Sequence, residues 1–327
     1  MRKWLGILTS LGCLALAPAS QAQTYPSKTV TIVVTAAAGG VTDIVARAIG
    51  LRLSEKWGHQ VIIENKGGGA HVVGAQQVAN ATPDGHTLMM AEAGTFVINP
   101  TIYPKGRLPF DTEKDFIPIT GTIRIHHSVM VAPNLPVKSV ADLIDLARKK
   151  PGEITYGTAG IASGPHVNVA RFENQAHIKL NPIHYRGAAP AINDIMGGHT
   201  NMMMVSISLA LPLHRQGKVK MLSIGSAKRL PQLAEFPTTA ESGNLPGYMA
   251  GTWFGMAVTA GMPKAIVDKI NADVRAVMAE DAFKQRFIEK QYAEAMDTSP
   301  AEFKAFLHSE TQSWAKVIRE QKLVIAP

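Results

Sequence analysis

From Tyr25 onward the chain alternates short β-branched apolar runs with longer segments whose apolar residues recur every three or four positions. KTVTIVVT, ending at Thr35, predicts a strand, and Asp43 to Trp57 predicts a helix that Gly58 stops. A second strand in QVIIEN, a helix in HVVGAQQVANA and a third strand in HTLMMAE follow, with a Pro83-Asp84-Gly85 turn before the last. This β-α-β-α-β order argues for a parallel sheet covered by helices. A linker rich in Pro, Lys and Asp covers 104–118, and the alternation then restarts. HSVMVAP predicts a strand, and Ser139 caps a helix that buries Val140, Leu143, Ile144 and Ala147. EITYGTA predicts a further strand before the helix HVNVARFENQA, and NPIHY, TNMMMV and KMLSIGS continue the series. Two α/β units in one chain predict two lobes. The tail is helical instead. Ile266, Ile270, Val274 and Val277 share one face, and a last long helix starts at Ser299-Pro300, with Phe303, Phe306 and Trp314 as packing anchors.

The first residues do not belong to this pattern. Arg2 and Lys3 precede an apolar stretch from Trp4 to Ala17, and Ser20-Gln21-Ala22 has the small-x-small form of a cleavage site. Residues 1–22 therefore read as a secretory signal peptide, cut after Ala22. Ser10-Leu11-Gly12-Cys13 could be a degenerate lipoprotein box, but cleavage there would leave an apolar LALAPA tail. The soluble reading is preferred, and it removes Cys13, the chain's one cysteine, leaving neither disulfide nor thiol. No second apolar run reaches the ~18–20 residues of a membrane span. The expected place is a bacterial periplasm. The formal charge of +8 falls to +6 once Arg2 and Lys3 are removed, and the basic residues are scattered. With 6% aromatics and no Lys/Arg block, nucleic-acid binding is not supported.

Chemistry-bearing groups are sparse. VTAAAGGVTD, Val34 to Asp43, is a small-residue loop between a strand and a helix. It is either a close-packed turn or an anion site made of backbone amides at a helix N-terminus. EITYGTAGIASGPH repeats the arrangement, with Ser163 and His166 near the next helix start. Two such loops facing each other beyond the carboxyl ends of strands favour a ligand carrying a carboxylate. Enzyme motifs fit poorly. Gly160 to Gly164 is G-x-x-S-G rather than G-x-S-x-G, and no base is assigned to Ser163. His126 and His127 are adjacent on a strand and point to opposite faces, so they do not chelate together; no metal site is expected. Gly67-Gly68-Gly69 lacks the Lys-Ser/Thr pair of a phosphate loop and reads as a flexible connection. Met202, Met203 and Met204 alternate faces of a buried strand.

YPSKTVTIVV, AGGVTDIVAR, VIIENKGGG, PDGHTLMMA, INPTIYP, HYRGAAPAINDIMGG, SAKRLPQL and LPGYMAGTWFG occur in this order over essentially the whole mature chain. Together they resemble the Bug-type extracytoplasmic solute receptors of tripartite tricarboxylate transporters. The resemblance implies an α/β, type II periplasmic binding protein fold with a cleft between two lobes. Residues 23–125 and 249–327 would form domain 1 and residues 126–248 domain 2, with crossovers near 122–126 and 248–252. The family's first loop is close to P-F-x-x-G-G-x-x-D. Gly39, Gly40, Thr42 and Asp43 match it, whereas Thr35-Ala36 replaces Pro-Phe. Asn201 stands where an Asp is frequent, and Tyr185-Arg186-Gly187 where Tyr-Lys-Gly is usual.

The expected ligand-binding set is Ala38, Gly39, Gly40, Thr42 and Asp43 with Thr95 on one lobe. On the other it is Thr158, Ala159, Gly160, Ser163 and His166, with Tyr185, Arg186 and Ser206. Loop amides and hydroxyls would hold the carboxylate, and His166 and Arg186 would set specificity. The expected function is capture of a small organic carboxylate for the membrane permease subunits of a tripartite transporter. The receptor is expected to be a monomer without cofactor or catalytic residues. The alternatives are a ligand-dependent partner of a membrane sensor protein, or a periplasmic hydrolase using Ser163.

Overall fold

The computed structural model describes residues 25–321; the signal peptide expected over 1–22, with Cys13, lies outside them. The strands are β1 (Val30–Val34), β2 (Val61–Asn65), β3 (Thr87–Glu92), β4 (Phe116–Val131), β5 (Thr155–Thr158), β6 (Asn181–His184), β7 (Met202–Ser206), β8 (Lys220–Ile224), β9 (Gly251–Thr259) and β10 (Ala293–Ala295). The helices are α1 (Val41–Trp57), α2 (Val72–Ala79), α3 (Asn99–Ile102), α4 (Val140–Lys149), α5 (Gly164–Ala176), α6 (Ala188–Met196), α7 (Ile207–Arg215), α8 (Thr239–Gly243), α9 (Lys264–Ala279), α10 (Asp281–Phe283) and α11 (Pro300–Gln321).

The strands are bonded in the order β2-β1-β3-β9-β4-β7-β5-β6, with β8 and β10 also on β4. β1 is parallel to β2 and β3, and β5 is parallel to β6 and β7. β9 runs antiparallel to both β3 and β4, and β7 and β8 run antiparallel to β4. Helices cover both faces of each half, which is why these strands read as nearly continuous apolar runs. Met202 and Met204 enter one core cluster and Met203 the other, as their alternation predicts.

β4 belongs to both halves. Phe116 to His126 pairs with β9, and His127 to Val131 pairs with β7 and β8. The strand expected from His127 therefore starts eleven residues earlier, inside the expected linker's end. Pro118 and Gly121 disguise it in the sequence. Register shifts between Pro118 and Thr120 and between Gly121 and Arg124 absorb residues that cannot keep a regular ladder.

Where β4 changes partners, three chain segments meet. The His127 amide donates to the Ala250 carbonyl at 2.9 Å, the Ala250 amide to Gly225 at 2.9 Å, and the Gly225 amide to His127 at 2.7 Å. A Cβ on Gly225 would collide with the Ala250 carbonyl oxygen and lie 2.7 Å from that of His127. His126 and His127 do diverge: His126 Nε2 sits 3.1 Å from Glu294, and His127 Nδ1 3.1 Å from Asn168.

A strand separates the first of the two expected tail helices from the last. α9 ends where Glu280 turns extended, and β10 joins β4 antiparallel, Ala293 opposite Ile125. α11 then packs Phe303 edge-on to Phe96 and Trp253. Among the described residues no helix is long and apolar enough to cross a membrane.

Candidate functional site

The two small-residue loops stand at the carboxyl ends of β1 and β5, where open α/β sheets bind ligands. In the first loop, Thr35 is fully buried. Its amide donates to the Met90 carbonyl at 3.2 Å, and its hydroxyl lies 3.1 Å from that of Thr95, also fully buried. Its carbonyl oxygen is 2.9 Å from His71 Nδ1. The Ala36 carbonyl accepts from the Asn65 side chain, and Gly67 lies so close that a Cβ there would approach the Ala37 nitrogen to 2.8 Å. Gly67, the first of the three glycines, is thus a packing surface for the loop, whereas a Cβ on Gly68 would meet nothing within 4 Å.

Asp43 closes the loop from the first turn of α1. One of its oxygens accepts the Gly39 amide at 2.9 Å, and the other is paired with Arg47 Nε at 2.9 Å. Burial raises the carboxyl's pKa, but Arg47, the Gly39 amide and Asn65 outweigh it and hold it below the ordinary value. The Asp43 charge is thereby neutralised by Arg47, and the loop presents dipoles rather than net charge. Gly40 caps α1 without a side-chain bond. Among the described residues the amides of Ala38, Gly40, Val41 and Thr42 have no acceptor. Ala37, Ala38 and Gly39 are exposed, so no side chain bars the approach to these donors.

The second loop is more self-contained. Thr158 Oγ1 accepts the Gly160 amide at 3.2 Å, and the Gly160 carbonyl accepts the Ser163 hydroxyl at 2.6 Å. The Ala162 amide donates to His166 Nδ1 at 3.1 Å. Ala159, Ile161 and Gly164 keep amides without an acceptor among the described residues. Ser163 is buried with its hydroxyl donated to the Gly160 carbonyl, and His166 Nδ1 accepts the Ala162 amide, so the two side chains are not hydrogen-bonded to each other.

The loop's apex reaches the other half of the molecule. Ala162 is fully buried in the left-handed region, at φ 63°. A Cβ on Gly94 would lie 2.9 Å from the Ala162 carbonyl oxygen and 3.1 Å from His71 Cδ2. His71 is in turn 3.0 Å from Glu92 through Nε2. Burial pushes the His71 pKa down, but Glu92's bond and charge and the Thr35 carbonyl raise it above its ordinary value.

Other expected residues sit at varied depths. Thr42 is buried in the first turn of α1, and Ser206 is buried at the end of β7 with the Ser208 hydroxyl 3.4 Å away. Arg186 is exposed. The Tyr185 hydroxyl donates to Asp194 at 2.6 Å and lies 2.8 Å from the Thr200 hydroxyl, so it braces its own half. The expected set omitted Thr35, His71, Glu92 and His184. His184 ends β6 beside Thr158, with Nδ1 2.9 Å from its hydroxyl and its ring 4.9 Å from that of His166. The sequence signal for it was a histidine at the last position of a strand, next to the Tyr185-Arg186-Gly187 turn. Two surface grooves, of about 370 and 590 Å³, are lined by none of these loop residues.

Residues 45–323 match the family described as tripartite tricarboxylate transporter family receptor. Three solved structures are similar over their whole length. An R. palustris protein solved with adipate is 32% identical, with a TM-score of 0.85, over 91% of this chain and 98% of that one. The periplasmic binding protein BugD is 30% identical, with a TM-score of 0.84, over 92% and 99%. MatC from Rhodopseudomonas palustris, with bound malate, is 28% identical, with a TM-score of 0.83, over 90% and 100%.

Proposed function

The chain belongs to the tripartite tricarboxylate transporter receptor family, and from that premise we propose how it works as a carboxylate-binding receptor. It captures a small organic carboxylate between two lobes in the periplasm, after removal of residues 1–22, and delivers it as a monomer to the permease subunits of a tripartite transporter. The lobes are residues 23–125 with 249–327, and residues 126–248. The partner exchange of β4 at His126–His127 and the β9 start at Gly251 support that division.

The observation that carries the reading is the first loop. Four amides without protein acceptors stand at the N-terminal end of a 17-residue helix, next to Ala36 to Gly40, none of which has a side chain larger than methyl. A carboxylate placed there gains charge-assisted hydrogen bonds and the field of the helix terminus. Ala38, Gly39, Gly40, Thr42, Asp43 and Thr95 form this side. Thr158, Ala159, Gly160, Ser163, His166, Tyr185, Arg186 and Ser206 form the other, some contacting the ligand and others holding the loop. Asp43 and Tyr185 act by fixing the backbone around them, given the bonds they already make. The protein is a receptor without turnover; the inward-turned Ser163 hydroxyl supports this.

The ligand favours the closed arrangement to the extent that it touches both lobes. A thermal-shift screen of the mature protein against mono-, di- and aromatic carboxylates tests the reading. A ligand at 100 times its Kd stabilises by about 2.7 kcal/mol, and a clear rise in melting temperature is expected for at least one. No shift with any of them overturns it.

A further inference from the structure

The second loop carries a feature that backbone capture of one carboxylate does not require. His166 and His184 are 4.9 Å apart, edge to face, at the carboxyl ends of adjacent parallel strands. Each has its Nδ1 fixed by the protein. The Ala162 amide donates to His166 Nδ1, so the neutral ring carries its hydrogen on Nε2. Thr158 Oγ1 accepts from the Gly160 amide and lies 2.9 Å from His184 Nδ1, so the hydroxyl holds that ring by its Nδ1 edge. Among the described residues neither Nε2 has a partner. Two neighbouring imidazoles each anchored through Nδ1, with both Nε2 atoms unpartnered, become two donors once protonated.

We propose that His166 and His184 form a paired-imidazole subsite that binds a second anionic group of the ligand and takes up a proton as it does so. The inference rests on the receptor reading above and specifies the ligand class as a dicarboxylate. It also makes His184 a specificity-determining residue. In the free protein two adjacent imidazoles oppose each other's charging, and burial together with His184 holds His166 down at about 4. His184 is exposed overall, and the partial desolvation of its ring lowers it as well. Little else counters an added charge there. Asp194 on α6 is engaged by the Tyr185 hydroxyl, Arg186 is exposed next along the chain, and Glu92 beyond Ala162 is paired with His71. An anion held by the two Nε2 atoms raises both pKa values, so protons are bound on complex formation and affinity rises as pH falls from 8 toward 6.

The test is calorimetric titration of the full mature protein with adipate and malate at pH 6 and pH 8, in buffers of different ionisation heat. The proteins are wild type, His184→Gln, His184→Ala and His166→Gln, with circular dichroism melts confirming that each variant folds. Wild type is expected to bind severalfold more tightly at pH 6 and to show buffer-dependent proton uptake. His184→Gln keeps an amide donor and should lose the pH dependence while retaining binding at pH 8. His184→Ala should lose affinity for dicarboxylates and not for a monocarboxylate of equal length. Dicarboxylate binding with the same affinity and pH slope in the folded variants as in wild type overturns the subsite and leaves the receptor reading intact. A wild-type protein that binds no carboxylate at all overturns both.

Discussion

Glu173, on α5, is the residue whose ionisation works against the fold. Burial pushes its carboxyl up to about 7, against the Leu180 amide bond and the charge of Lys179. The unfolded chain releases this proton near the ordinary value of 4.5, so stability contributed by the neutral form is complete below that pH and declines as pH rises toward 7. Glu173→Gln is expected to melt higher than wild type at pH 8 and to lose that advantage at pH 4, as read by thermal melts. His71 has the same sign for a different reason. Glu92 favours its imidazolium, so that contribution is present below the ordinary histidine value of 6.5 and is lost as pH climbs above it. At this scale local devices were legible and distant partners were not. Ser139 with Asp142 three residues on forms the capping box that their spacing announces. Nothing in the chain near His71 announces Glu92, twenty-one residues away.

The elements were legible where periodicity was regular. β1, β3 and α1 fall where their apolar spacing places them, and Gly58 ends α1 in the left-handed conformation. β4 was half hidden because Pro118 and Gly121 interrupt its pattern, and β10 is too short to have one. The backbone junction His127–Gly225–Ala250 could not be read at all, since it joins three elements by main-chain bonds alone. Gly225→Ala forces a methyl against two carbonyl oxygens there. A loss of about 1–3 kcal/mol is expected, measured as a lower denaturation midpoint at unchanged slope. A variant as stable as wild type would show that the junction yields easily.

At the scale of the molecule, the approach of Gly94 to Ala162 is one of the contacts that tie one loop's half to the other. Gly94→Val places a branched side chain between them, next to His71. Because the contact is made only when the halves are together, the variant is expected to weaken carboxylate binding by about 1–3 kcal/mol, more than it lowers the melting temperature of the unliganded protein. Small-angle scattering should report a smaller radius of gyration on ligand addition for wild type, and a reduced change for the variant.

What the chain's order of residues determined by itself is the α/β alternation, the small-residue loops after β1 and β5, and the family, because these depend on neighbours along the chain. The periodicity of 2 or 3.6 and the absence of bulky groups at Ala36 to Gly40 are local properties. Only the tertiary structure decided which donors remain available. It turned Ser163 toward Gly160, occupied the Tyr185 hydroxyl with Asp194, and set His184 beside His166 although eighteen residues separate them. Hydrogen-bond partnership is decided by what folding brings within 3 Å, and no pattern along the chain encodes that distance.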